Sequence, residues 1–98
     1  MINSGFKIIY SKRAVNELQE AINWYNRKKK GLGASLKKEV QEVIQKIISN
    51  PNYTSIRYDS SHMAACSSFP YAIHYEADIS NKLIRVTAIF HFSRNPEW

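Results

Sequence analysis

Apolar residues at Ala14, Leu18, Ala21, Ile22 and Tyr25 fall on one stripe of a 3.6-residue period, which predicts an amphipathic helix opening just after Ser11. Ser11 reads as its N-cap, because a short hydroxyl side chain accepts a hydrogen bond from an otherwise unpaired N–H of the first turn. The helix runs out in Arg27-Lys28-Lys29-Lys30-Gly31, where cations meet the negative end of the helix dipole and glycine supplies a left-handed turn. A second stripe begins almost at once after Leu32, with Leu36, Val40, Val43, Ile44, Ile47 and Ile48 on one face and Lys37, Lys38, Glu39, Glu42 and Lys46 elsewhere. It stops at Asn50-Pro51. So short a link sets the helices antiparallel, and their remaining apolar surface calls for a sheet.

Period-two segments supply that sheet. Phe6 to Tyr10 is β-branched and aromatic enough for a strand, and residues 56 to 59 alternate over a short length. Ser60 to Ser68 reads as a small polar stretch. Beyond it, Phe69, Tyr71, Ile73 and Tyr75 share a face, and Asp78 to Lys82 carries turn residues. Leu83 to Phe92 is the longest strand. Strict alternation puts Ile84, Val86, Ala88, Phe90 and Phe92 on one side and Leu83, Arg85, Thr87, Ile89 and His91 on the other. The expectation is an α+β fold: one strand, an antiparallel helical hairpin, then a three-stranded antiparallel meander, with the hairpin packed on one face of a mostly antiparallel sheet. No internal repeat, linker or low-complexity tract divides the chain, so residues 1–98 read as a single domain.

Composition changes this picture little, with 44% hydrophobic and 22% charged residues among the 98. No apolar run approaches the length that spans a bilayer, and the N-terminus has no signal-peptide pattern, so a cytoplasmic location is expected. A single cysteine, Cys66, leaves no internal disulfide and no CxxC metal site, which fits a reducing compartment. Charge matters more. The net value is +6, and all of the excess lies in the first half: residues 51 to 98 balance Arg57, Lys82, Arg85 and Arg94 against Asp59, Glu76, Asp78 and Glu97.

The sheet face turned away from the helices should collect Arg57, Asp59, Ala72, His74, Glu76, Arg85, Thr87, Ile89 and His91, with Arg94 just beyond. Two readings of it stay open: a solvent-facing site for an anionic substrate, or the polar side that any antiparallel sheet keeps for solubility, laced by pairs such as Arg85 with Glu76. His74 and His91 titrate in the range for acid–base work but serve equally as packing groups. Nothing in the spacing of His62, Cys66, His74 and His91 enforces a metal geometry, so no metal and no cofactor is expected. Phosphate loop, GxSxG and HExxH motifs are lacking. Lys28 to Lys30 reads either as a phosphate-binding run or as a solvated helix cap, and Trp24 and Tyr25 either as a binding surface or as edge packing. Trp98 has no obvious core position, so it folds back or reaches a partner.

Seven stretches in order and at the right separations resemble the toxins of the RelE/ParE superfamily, and more closely its ParE-like plasmid-stabilisation branch. They are Ser11-Lys12-Arg13-Ala14, Ile22-Asn23-Trp24-Tyr25, Lys30-Gly31-Leu32-Gly33, Asn50-Pro51, Ile56-Arg57-Tyr58, Phe69-Pro70-Tyr71 and the tail Ala88 to Trp98. The resemblance implies a type II toxin, neutralised by a cognate antitoxin whose C-terminal segment wraps it, as a homodimer or a toxin-antitoxin hetero-oligomer. RelE-like members cut messenger RNA on the ribosome without a metal, whereas ParE-like members block DNA gyrase and cut nothing. The charge balance of the second half disfavours the nuclease, which must neutralise charge at the scissile phosphate. The leading expectation is therefore a gyrase-directed inhibitor whose partner surfaces use Trp24, Tyr25, Arg57, Tyr71, His91, Arg94 and Trp98. The alternative is a ribonuclease in which His91 or Tyr71 handles protons while Arg57 and Arg94 hold phosphate. A third reading follows from Ser60 to Ser68, where family members carry arginines and lysines and this chain leaves only His62 as a cation: a non-toxic relative that retains partner binding.

Overall fold

A computed structural model of the chain describes residues 5–51, 56–58 and 61–91, the segment 56–58 by its backbone alone. The elements are β1 (Lys7–Tyr10), α1 (Lys12–Lys28), α2 (Leu32–Ser49), β2 (Ile56–Tyr58), β3 (Ser61–Ala65), β4 (Tyr71–Asp78) and β5 (Leu83–His91). The helix signals act where expected. Ser11 Oγ accepts from the Ala14 N–H at 2.9 Å, and its hydroxyl donates to the Thr87 carbonyl at 2.8 Å, so one residue caps α1 and ties it to the sheet. At the hairpin tip Gly31 adopts φ +89, the left-handed region that glycine reaches at no steric cost. Asn26 Oδ1 then accepts from the Gly33 N–H at 2.8 Å. A Cβ at Gly33 would run into the Ile22 carbonyl oxygen and lie 2.7 Å from Asn26 Oδ1, so the two helices approach through a missing side chain.

Among the described residues the sheet has five strands in the order β1-β5-β4-β3-β2, with β1 parallel to β5 and all other pairs antiparallel. The α+β architecture expected from the periodicities is present, with two additions. The polar stretch Ser60 to Ser68 contains β3, so the meander has four strands, and β1 makes the sheet mixed. Ser-His-Met-Ala-Ala has weak strand preference of its own. It becomes a strand because β4 and β2 offer it a ladder on both edges, and pairing overrides propensity.

β5 departs from the strict alternation expected of it. Ala77 pairs with Ile84 and Tyr75 with Val86, but His74 pairs with Ala88 and Ile73 with Ile89, so Thr87 is an extra residue with no opposite number. This β-bulge reverses the parity of everything after it. Ile89, expected on the outer face, is 1% exposed within the core, and His91 stands opposite Tyr71 on the helix-covered side. Ala88 and Phe90 move to the outer face beside His74 and Ala72.

The core lies between sheet and hairpin: Ala14 and Ala21 of α1, Leu36, Val40 and Ile47 of α2, and Ile73, Tyr75, Ile84, Val86 and Ile89 of the strands. Burying each large aliphatic side chain contributes about 1.5–3 kcal/mol, the dominant favourable term of the fold. Tyr75 satisfies its buried hydroxyl by donating to the Pro51 carbonyl at 2.9 Å. Among the described residues no buried side-chain nitrogen or oxygen lacks a partner, and no helix is long and apolar enough to cross a membrane.

Candidate functional site

Three elements converge on a row of aromatic rings. The last turns of α1 present Trp24 and Tyr25, the turn before β4 presents Phe69, β4 opens with Tyr71, and β5 closes with His91. Tyr25 sits at the centre, edge-to-face with Trp24 (4.9 Å between centroids), Phe69 (5.1 Å) and Tyr71 (6.2 Å). Tyr71 meets His91 edge-to-face at 5.0 Å. Such T-shaped contacts add about 0.5–1.5 kcal/mol each beyond area burial and hold the rings at fixed angles. Tyr71 is only 4% exposed and forms the floor; Trp24, at 38%, is the most open ring of the row, with the Lys28 ammonium 4.8 Å from its centroid.

The β3–β4 turn that carries Phe69 is held from α2. Both carboxylate oxygens of Glu39 accept from the Ser68 N–H at 3.0 and 3.1 Å, and Ser67 Oγ donates to Glu39 at 2.9 Å. Burial would raise the Glu39 pKa, but these hydrogen bonds to the charged form outweigh it and leave it lowered. Cys66 next to this turn is buried; burial first, and then the Glu39 charge, push its thiol up to about 11. It is therefore protonated at neutral pH and inert as a nucleophile. The backbone closes the turn through Tyr71 N–H to the Phe69 carbonyl at 2.8 Å and Cys66 N–H to the Tyr71 carbonyl at 2.9 Å.

The outer end of β5 is held by side chains. Glu17 Oε1 accepts from the Ile89 N–H at 2.8 Å while its other oxygen pairs with Arg13 Nε at 3.0 Å. α1 thereby covers the strand edge that β1, ending at Tyr10, leaves open.

Of the residues singled out from sequence, Trp24, Tyr25, Tyr71 and His91 come together in this row. Arg57 lies in β2, with its side chain outside the described residues, as are Arg94 and Trp98. The row includes one ring missing from the sequence-derived site set, Phe69, although Phe69-Pro70-Tyr71 carried the signal. Glu17 and Glu39 were also missed, and only tertiary contact reveals them.

Of the two readings of the outer face, the solvent-facing anion site loses both histidines, since His91 stands on the helix-covered side and His74 is buried. His74 is 5% exposed, its Nε2 3.0 Å from Met63 Sδ and its ring 4.4 Å from that of Phe90. Burial first, then Arg13, lower its pKa against the opposing pull of Glu17, so the imidazole is neutral at pH 7. His62, the cation expected in the Ser60 to Ser68 stretch, is buried and stacked on Tyr75 at 4.9 Å. Arg85 and Glu76 do pair across strands, at 3.6 Å. Among the described residues no group of three or more His, Cys, Asp or Glu side chains is placed to hold a metal ion.

The family model described as the ParE toxin of the type II toxin-antitoxin system parDE matches residues 8–96. Among solved structures, the chromosomal ParDE TA system from P. aeruginosa superposes with TM-score 0.75 at 10% identity, covering 90% of this chain and 97% of that one. The intact E. coli RelBE toxin-antitoxin complex gives TM-score 0.68 at 12% identity, over 87% of this chain and 94% of that one. The isolated E. coli RelE toxin gives 0.67 at 11%, over 89% and 84%. No curated protein matches the sequence. The solved structures share the fold, and the family model spans nearly the whole chain: it belongs to the ParE toxin family of type II toxin-antitoxin systems, within the RelE/ParE superfamily.

Proposed function

We propose that this toxin acts by binding a bacterial target such as DNA gyrase, with the Trp24, Tyr25, Phe69, Tyr71 and His91 row as part of the contact surface, and that a cognate antitoxin neutralises it. The observation that carries the reading is the row itself: rigid rings packed edge-to-face over a buried Tyr71, the kind of pre-organised aromatic surface that concentrates binding energy in protein interfaces. Cleavage of RNA would need cations aimed at the phosphate beside Tyr71 and His91. The second half of the sequence, with four basic against four acidic residues over 51–98, disfavours that reading. An antitoxin partner is supported by the fold it shares with a toxin solved as an intact toxin-antitoxin complex.

Pulse incorporation of labelled thymidine and labelled methionine after induction without antitoxin tests the target class. DNA synthesis is expected to fall first, and gyrase supercoiling to be inhibited by the purified chain. Protein synthesis failing first would replace this reading with the ribonuclease, in which His91→Ala with Arg94→Ala abolishes cleavage and spares antitoxin binding. Neither falling would point to the non-toxic relative.

A further inference from the structure

The tip of the helical hairpin is the most strongly charged part of the described surface. Arg27, Lys28, Lys29 and Lys30 are consecutive and exposed, and Lys37 and Lys38 follow on the exposed side of α2. Among the described residues the ion pairs are Arg13 with Glu17 and Arg85 with Glu76, neither at the tip. The last turn of α1 and the first turn of α2 hold no acidic residue, and Glu39, the carboxylate beside Lys38 in sequence, is committed to Ser67 and Ser68.

Capping of the helix dipole accounts for only part of this cluster. A cation in the last turn of α1 gains from the dipole, which describes Arg27 and Lys28. Lys29 is the C-cap of α1, its N–H donating to the Tyr25 carbonyl, and shares that gain; Lys30 lies beyond it, beside the Gly31 cap of α2, where the dipole of the second helix is positive and opposes a cation. Four adjacent positive charges are thus held together against mutual repulsion and against one helix end.

We propose that this tip is a docking surface for the phosphate backbone of duplex DNA. Three observations select that partner over an acidic protein segment or a single strand. First, a peptide gains affinity by seating apolar anchors in pockets, and the only exposed large hydrophobic residue at the described tip is Trp24. Second, single strands are held by several stacking platforms in succession, whereas Trp24 already carries the Lys28 ammonium. Third, the tip is pinned and open to approach: Asn26 Oδ1 accepts from the Gly33 N–H across the hairpin at 2.8 Å, and the space around Gly31 is clear. A protruding surface whose charged groups are all cations meets the sequence-independent requirement of a duplex backbone. The inference stands whether or not the aromatic row contacts gyrase, because free DNA is the probe.

Fluorescence anisotropy of a short labelled duplex with the purified chain, across a salt series, tests it. Replacing Lys28, Lys29 and Lys30 together by alanine should lower affinity on the order of tenfold or more at low salt and flatten the log–log salt dependence by roughly 2–3 units. The corresponding triple arginine variant should retain binding. A control with Lys7, Lys12 and Lys46 replaced by alanine has the same net charge but an intact tip, and should stay within about threefold of the parent. Equal losses in control and tip variants would overturn the proposal, since binding would then follow net charge alone. Tighter binding of a single strand, or equal binding of poly-glutamate, would overturn the choice of duplex DNA.

Discussion

From Leu83 to Val86, β5 has backbone neighbours on both edges, β1 and β4, whereas from Thr87 onward its outer edge meets side chains of α1. The first half is an ordinary interior strand in which each main-chain group finds a main-chain partner. In the second half Ser11 and Glu17 take over the work of a strand, and a bulge at Thr87 turns the side chains by half a period. A helix that closes a sheet edge in this way does more than shield it. It fixes the helix against the strand, so that Tyr25 on α1 and His91 on β5 meet the same Tyr71 ring.

The largest test of this contrast uses Ile84 and Ile89, one from each half and both essentially unexposed. Alanine at either should cost about 2–5 kcal/mol in chemical denaturation, because each leaves a cavity. Without the bulge Ile89 would face outward and its truncation would be nearly silent. Next comes Glu17. Glu17→Ala removes a charged acceptor from a main-chain N–H and should cost about 1.5–3 kcal/mol, with Glu17→Gln recovering part of it because an amide oxygen still accepts. Loss of the Tyr71–His91 ring contact, read from ring chemical shifts, should accompany the alanine variant alone. Ser11→Ala removes both the helix cap and the bond to Thr87 and should cost about 1 kcal/mol.

A smaller effect is expected from pH. Burial and Arg13 hold His74 neutral in the folded protein, so as pH falls the unfolded chain takes up the proton first. This contribution to stability is complete above about 6.5 and is lost as pH drops through the lower folded value. His74→Gln should flatten that slope in denaturation at a series of pH values. Smallest is Arg85→Ala in the first half, whose partner Glu76 lies across an exposed surface; about 0–1 kcal/mol is expected, diminishing with salt.

The helices were legible because their stripes are long and their ends carry chemistry, as Ser11 and Gly31 show. β4 was legible from Tyr71, Ile73 and Tyr75, all of them buried. Two features were not. Ala88, Ile89 and Phe90 are apolar at consecutive positions, so either parity fits the sequence, and only pairing with His74 and Ile73 decides between them. β3 escaped because the ladder on either side, and not its own residues, makes it a strand. The site was half visible for the same reason: rings announce themselves by type, whereas Glu17 and Glu39 look like any solvated helix glutamate until the strand and turn they hold are in place.

The parallel pairing of β1 with β5 carries a consequence in time. Lys7 finds its partner in Leu83, and Ser11 its acceptor in Thr87, after nearly all the intervening chain has been made. During synthesis the helical hairpin has its local contacts early, while β1 waits for β5, a long-range closure of the kind that slows folding. His91 arrives on that same strand. A nascent chain that has already built its helices therefore lacks the completed aromatic row until β5 docks.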